Sequence, residues 1–329
     1  MSAFAYDIVV PTIGRPSLES LLVSLARARG PLPQRVIVVD DRRDARASLA
    51  PCDAAARVAL GAIGMRLEVV SGSAAGPASA RNRGWRAASS PWVAFLDDDV
   101  VVHADWFADL ASDIAACDEA CVGTQGHVTV PRAADRPPTD WERNVAALEG
   151  ARWITADFAF RRRALDAIGG FDERFPRAFR EDADLALRIV NRGWTLAQGR
   201  RRITHPVRPA DAWVSVRLQA GNADDALMDA LHGRDWYERA ASQRGEFATH
   251  VATAALGIAS LLTALGWFAA TLRFAWVRIA PGPRDPREIR TMLVTSAVIP
   301  FAAVYHRVRG MFASRGVAPH RSVRSDAAG

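Results

Sequence analysis

The chain predicts an α/β fold built on a mainly parallel, doubly wound sheet, followed by a C-terminal helical module. Three observations carry this. From residue 6 to about residue 100, apolar runs of strand length alternate with amphipathic helical segments. Two of those runs close on acids, Val38-Val39-Asp40-Asp41 and Phe95-Leu96-Asp97-Asp98-Asp99. Beyond about residue 246 long uncharged stretches take over, so the chain divides into 1–245 and 246–329.

Each element has its own justification. Ile8-Val9-Val10, Val36-Ile37-Val38-Val39, Leu67-Glu68-Val69-Val70 and Trp92-Val93-Ala94-Phe95-Leu96 are near-continuous apolar runs. Runs of that kind read as strands covered on both faces, which is the signature of a parallel sheet. Helical periodicity fills the gaps over Ser17–Arg29 and Ala78–Ala88, and another helix starts near Ala104. A Pro/Arg/Asp-rich stretch, 131–138, reads as a surface loop, with regular elements resuming near Trp153. A final helix over Glu181–Arg192 carries Leu185, Leu187, Ile189 and Val190 and ends at Gly193, a natural C-cap. Glu181-Asp182 then sits in the first helical turn, where the helix dipole favours negative charge.

Composition narrows the function. A chain of 329 residues, half of them hydrophobic, can bury a large core without disulfides. The net charge is +6 and the pI near 10.1, and all 42 basic residues are Arg. Those arginines are scattered and not interleaved with aromatics, so nucleic acid is not an expected partner. Cys52, Cys117 and Cys121 are odd in number, and Cys117-x3-Cys121 lacks a second ligand pair for zinc, so reduced cysteines in a cytosolic compartment are expected. The N-terminus lacks a basic segment followed by an apolar one, and no signal peptide is expected.

The acids at the strand ends are the chemical clue. Carboxylates crowded there repel one another and lose hydration, and a cation is the simplest remedy. The carboxyl ends of strands are also where sheets of this kind bind ligands. His205, about twenty residues beyond Glu181-Asp182, can reach back to such a metal or to a diphosphate. The run Arg200-Arg201-Arg202 reads as a solvated charged face.

Several motifs in order resemble glycosyltransferase family 2, whose catalytic domain has the GT-A fold. They are Val9-Val10-Pro11-Thr12 with Arg15-Pro16, then Val38-Val39-Asp40-Asp41, then Gly76-Pro77-Ala78-Ser79-Ala80-Arg81-Asn82-Arg83-Gly84. Leu96-Asp97-Asp98-Asp99 follows, and then Gly169-Gly170-Phe171-Asp172 ahead of Glu181-Asp182-Ala183-Asp184-Leu185. The resemblance spans roughly residues 6–235 and implies an inverting transfer from a nucleotide-diphosphate sugar, a UDP-sugar. It implies that Pro11, Thr12, Asp40, Arg81, Asp97 and Asp98 belong to the donor side. Asp40 would contact the base, Arg81 the uracil or phosphates and Asp97 the ribose, with Asp98 turned away between Asp97 and Asp99. Asp99, with His205, would hold a divalent cation, magnesium or manganese, and Asp182 would be the catalytic base. The Gln-x-x-Arg-Trp motif of processive members is missing after Asp182, so transfer of a single sugar is expected.

The tail offers two apolar segments, 251–272 and 291–305. The first is just long enough to span a bilayer, and Trp267, Trp276 and five arginines between Arg273 and Arg290 lie at its end. A simple two-crossing hairpin would put those arginines on the far side, against the positive-inside tendency. A single crossing, a monotopic hairpin in the cytoplasmic leaflet and a buried core helix all stay open. The expected location is the cytoplasmic face of the membrane, with soluble cytoplasmic as the alternative, and the expected acceptor is a lipid-linked or envelope glycan. Two other functions share the layout. A nucleotidyltransferase would need a Gly-rich, basic loop after the first strand, of which Pro11-Thr12-Ile13-Gly14-Arg15-Pro16 is a poor version. A membrane-attached protein could also bind nucleotide sugar without turning it over.

Overall fold

A computed structural model describes residues 4–44, 49, 54–243 and 245–320, without the side chains of 54–56 and 260–263. Cys52 lies outside the described residues. The elements run β1 (Tyr6–Thr12), α1 (Ser17–Arg27), β2 (Val36–Asp40), α2 (Ala54–Ala62), β3 (Leu67–Ser71), α3 (Pro77–Ala87) and β4 (Trp92–Leu96). They continue with β5 (Val101–Val102), α4 (Trp106–Ala115), β6 (Cys121–Thr129), α5 (Asp140–Ala146), β7 (Asp157–Arg161), α6 (Arg162–Ile168), α7 (Glu181–Val190) and β8 (Thr195–Thr204). Helices follow: α8 (Val214–Arg217), α9 (Asn222–His232), α10 (Trp236–Arg239), α11 (Phe247–Ile258), α12 (Ser260–Ile279) and α13 (Pro286–Ala313).

The chain forms two compact units. Among the described residues, one holds 4–130 and 149–206, and the other holds 131–148 and 207–320. This division differs from a boundary at 245, because the second unit takes α8 to α10 and, from far upstream, α5. Regular structure also resumes earlier than expected after the Pro-rich loop. Thr139 caps α5 through a reciprocal pair with Glu142, which supplies a helix start that apolar periodicity does not announce.

In the first unit the sheet order is β3-β2-β1-β4-β7-β6-β8-β5. β3, β2, β1 and β4 run parallel, β7 is antiparallel to β4 and β6, and β8 runs parallel to β6. The fold is therefore the mixed α/β sheet of the GT-A class with its parallel half at the N-terminus. From β1 the chain winds outward through β2 to β3. α3 then returns it across β1 to β4, so the switch in strand order falls between the ends of β1 and β4. The return is tight because Gly84 has no side chain: a Cβ there would lie 2.2 Å from Val9 Cγ1. Val9, Val39, Phe95, Phe158, Phe160, Phe171 and Leu185 fill the core beneath α3 and α7.

In the second unit Ala275, Ile279 and Met292 pack α12 against α13. The run 251–272 is not one helix: it breaks at Ala259 into α11 and α12. Among the described residues, α13 is the one helix that meets the length and mean hydropathy of a membrane span, by composition alone. Arg278, expected among the interfacial arginines, is buried instead, its guanidinium donating to Thr295, Ser296 and Asp140 at 2.8–2.9 Å.

Candidate active site

The site is assembled at the switch point, entirely within the first unit. β4 ends at Leu96 and delivers Asp97, Asp98 and Asp99 into the turn before β5. Their side chains diverge. Asp98 turns inward and is held by the Thr12 hydroxyl (2.5 Å) and the Arg15 guanidinium (2.7 Å). Thr12 and Asp98 thus lock the end of β1 to the end of β4, a structural tie that the family pattern alone places on the donor side. Asp97 and Asp99 point elsewhere, and β8 ends just before His205, whose Nε2 lies 3.4 Å from Asp99 Oδ1. Oxygens of Asp97 and Asp99 and a ring nitrogen of His205 all lie within 4.8 Å of one another.

The residues fit a divalent cation. Two carboxylates and one imidazole, with the remaining positions left to ligand oxygens, suit manganese or magnesium, and the imidazole tilts the set toward manganese. His205 Nδ1 faces its neighbour's carbonyl, Pro206 O, at 3.3 Å, while Nε2 faces Asp99. Arg81 donates to Asp97 Oδ1 at 2.8 Å and so steadies one of the three groups.

α3 organises the rest. Gly76 starts the helix with φ of +101°, a conformation that side chains resist, and a Cβ there would meet Pro176 O at 2.6 Å. Asp41 fixes the preceding turn by accepting from the N–H groups of Ser73, Ala74 and Gly76 at 2.7–3.0 Å. One turn into α3, the fully buried Arg81 guanidinium forks: Nη1 donates to Glu181 Oε1 at 2.7 Å and Nη2 to Asp97 Oδ1 at 2.8 Å. Arg81 therefore ties the acidic turn after β4 to the first residue of α7. Asn82 spends its amide on the neighbouring loop and on Trp85 of its own helix. It donates to Phe171 O and Glu173 and accepts from the Phe171 N–H and the Trp85 indole, all at 2.8–2.9 Å.

α7 begins after Arg180, which holds a left-handed conformation with φ of +77°. Glu181 is buried against Arg81, while Asp182 is half-buried. Burial, reinforced by the charge on Asp182, pushes Glu181 up to about 8. Burial also raises Asp182 above the usual carboxylate range, against the opposing pull of Arg81. A carboxylate that binds its proton more tightly is a better general base near neutrality.

Asp40 sits at the end of β2, buried and gripped by Arg42 at 2.7–2.8 Å, and these hydrogen bonds hold its carboxyl below the usual range. Pro11 is the penultimate residue of β1. Glu181, Asn82, Asp41, Arg42 and Arg15 complete the site, and sequence reasoning gave none of them a role. For Asn82 a signal existed, since it stands within the Gly76–Gly84 motif that carries the family resemblance. Arg201 overturns the reading of the arginine run as a solvated face: it is fully buried, paired with Asp157 at 2.7 Å and Asp113 at 2.9 Å. Cys117 and Cys121 are free thiols with sulfurs 2.8 Å apart, and burial pushes the Cys117 thiol up to about 12.

Fold and site together define a GT-A glycosyltransferase. The family model for glycosyl transferase family 2 matches residues 7–184, more than half of the chain, and the chain belongs to that family. Among solved structures it is similar to the mannosyltransferase PcManGT from Pyrobaculum calidifontis, in complex with GDP-Man and Mn2+. That match has a TM-score of 0.55 and 19% identity over 92% of this chain and 86% of the other. It is also similar to S. aureus TarS 1-349 in complex with UDP, with a TM-score of 0.45 and 15% identity over 93% and 92% of the two chains. No curated protein matches the chain in a sequence comparison.

Proposed function

We infer that the protein is an inverting, metal-dependent glycosyltransferase. It moves a single sugar from a nucleotide-diphosphate donor, a UDP-sugar, to a hydroxyl of a lipid-linked or envelope glycan at the cytoplasmic face of the membrane. The observation that carries the chemistry is the convergence of Asp97, Asp99 and His205 on one point, with Arg81 linking that point to the turn that bears Asp182. The manganese and nucleotide sugar bound by PcManGT support this reading.

Asp97, Asp99 and His205 would hold the cation. When bound, it supplies Lewis-acid stabilisation of the departing diphosphate, so no protonated side chain is needed there. Asp40, Pro11 and Thr12 border the end of the sheet where the nucleotide base would lie. Asp182 takes the acceptor hydroxyl's proton as that oxygen bonds to the anomeric carbon. The bond from that carbon to the diphosphate breaks, and the nucleoside diphosphate leaves with the electron pair. A single displacement of this kind inverts the anomeric centre, and the buried pair of Arg81 and Glu181 holds the base-bearing turn in place.

The test is Asp182→Asn. Transfer should fall by about three orders of magnitude or more, while a nucleoside diphosphate with manganese still raises the melting temperature as in the wild type. Equal loss of both would sink the base assignment. Running the same thermal assay with UDP and GDP decides the donor's base.

A further inference from the structure

We propose that α12 and α13 form a monotopic docking surface that lies in the plane of an anionic lipid interface and does not cross it. The proposal deepens the membrane location inferred above and rests on it, but is independent of the donor chemistry.

Two apolar stripes carry it. On α12, Leu265, Phe268, Leu272 and Trp276 follow a spacing of three, four and four residues, which places them on one side of a helix. They are 86%, 56%, 42% and 61% exposed. On α13, Val294, Val298, Phe301, Tyr305, Val308 and Phe312 alternate by four and three, and every one of them is exposed. Soluble monomers rarely leave apolar rows of this length uncovered. Both stripes end at an aromatic ring paired with an arginine. Arg284 lies 5.8 Å from the Trp276 ring and Arg315 lies 4.0 Å from the Phe312 ring. Arg273 and Arg290 are exposed nearby. Aromatic rings and guanidinium groups together suit the headgroup level, and clustered arginine is complementary to anionic lipid.

The opposite side of α13 argues against a crossing. There Thr295 and Ser296 are buried and bind the Arg278 guanidinium, which also pairs with Asp140. Met292, Ile299 and Ala303 are buried as well, so that side is committed to protein contacts, which leaves one stripe for lipid. The uncharged part of α13, residues 291–306, is about 24 Å long, short of the ~30 Å hydrocarbon layer. A second copy of the chain is a poorer occupant. Pairing along α13 alone would leave the α12 stripe and Ile258, 77% exposed on α11, uncovered.

The experiment is co-sedimentation of the full-length protein with vesicles of phosphatidylcholine alone or mixed with phosphatidylglycerol. Binding should be about tenfold tighter or more on the mixed vesicles and should weaken in about 0.5 M salt. The double variant Phe268→Glu, Phe301→Glu should lose it while keeping the wild-type thermal shift with nucleoside diphosphate and manganese. Native membranes carrying the protein should release it in alkaline carbonate. Failure to bind either vesicle overturns the proposal, as does equal binding to both. Retention after carbonate shows a crossing and overturns it too. A dimer that the double variant dissociates, with no vesicle binding, assigns the stripes to self-association. Absence of the nucleotide shift in the wild-type protein, with vesicle binding intact, would instead count against the glycosyltransferase reading and leave the docking surface standing.

Discussion

Arg81 is the residue on which the site turns. A guanidinium can bridge two carboxylates because its planar fork presents parallel donors, whereas an ammonium of the same charge is a single point. Arg81→Lys should therefore lower kcat strongly while leaving the dissociation constant of a nucleoside diphosphate nearly unchanged, because the fork is spent on Asp97 and Glu181. A large loss of nucleotide affinity with unchanged kcat would instead mean that Arg81 acts on the donor directly. The pair also has a pH signature. Folded Glu181 keeps its proton up to about 8, whereas the unfolded chain releases it near 4.5. Over that window the folded state binds more protons than the unfolded one, so stability falls as pH rises from about 4.5 to about 8. Urea midpoints measured across that range should slope downward, and Glu181→Gln should flatten the slope. The motif Glu181-Asp182, with Asp182 as the expected base, is legible in the sequence, but the burial of Glu181 against Arg81 is not, because it depends on α3, a hundred residues away.

At the scale of elements, α3 acts as a keel. Its small residues let it lie close on β1, and its two adjacent polar residues clamp the acidic turn after β4, the glycine loop and α7. Gly84→Ala would push a methyl into Val9, and the overpacking should cost about 1–3 kcal/mol in chemical denaturation. Asn82→Ala leaves the buried Phe171 N–H and the Trp85 indole without acceptors. A loss of about 2–3 kcal/mol is expected, and transfer should fall with it as the glycine loop loosens. A stability change below about 0.5 kcal/mol would show that water replaces the amide. The helical span of α3 is readable in sequence to within a residue, because its apolar and small positions follow helical periodicity. The partners of Arg81 and Asn82 are not, since a polar residue on a helix looks the same in sequence whether it faces solvent or a distant loop.

For the whole molecule, the winding order creates the site. Sending β4 to the opposite side of β1 from β2 opens the crevice into which the acids of β4 project. β8 then returns His205 from the far half of the sheet to Asp99. If these three groups hold the cation, the melting temperature should rise with nucleoside diphosphate and manganese together more than with either alone. Asp99→Asn and His205→Ala should each erase most of that cooperative shift. A shift that survives both substitutions would place the cation elsewhere.

By itself the sequence determined the parallel half of the sheet, the acids at its carboxyl edge, the family and the residues expected to react. These are local signals, written in apolar runs, turn residues and short motifs. Tertiary structure alone decided that Arg201 is a buried counterion and not part of a solvated face, and that Arg278 belongs to a polar core. It also decided that the apolar stretch 251–272 bends into two helices, and that Asp98 braces Thr12 while Asp97 faces Arg81 and Asp99 faces His205. Each of these depends on which surface a side chain meets after the chain has wound back on itself, and spacing along the chain does not encode that meeting.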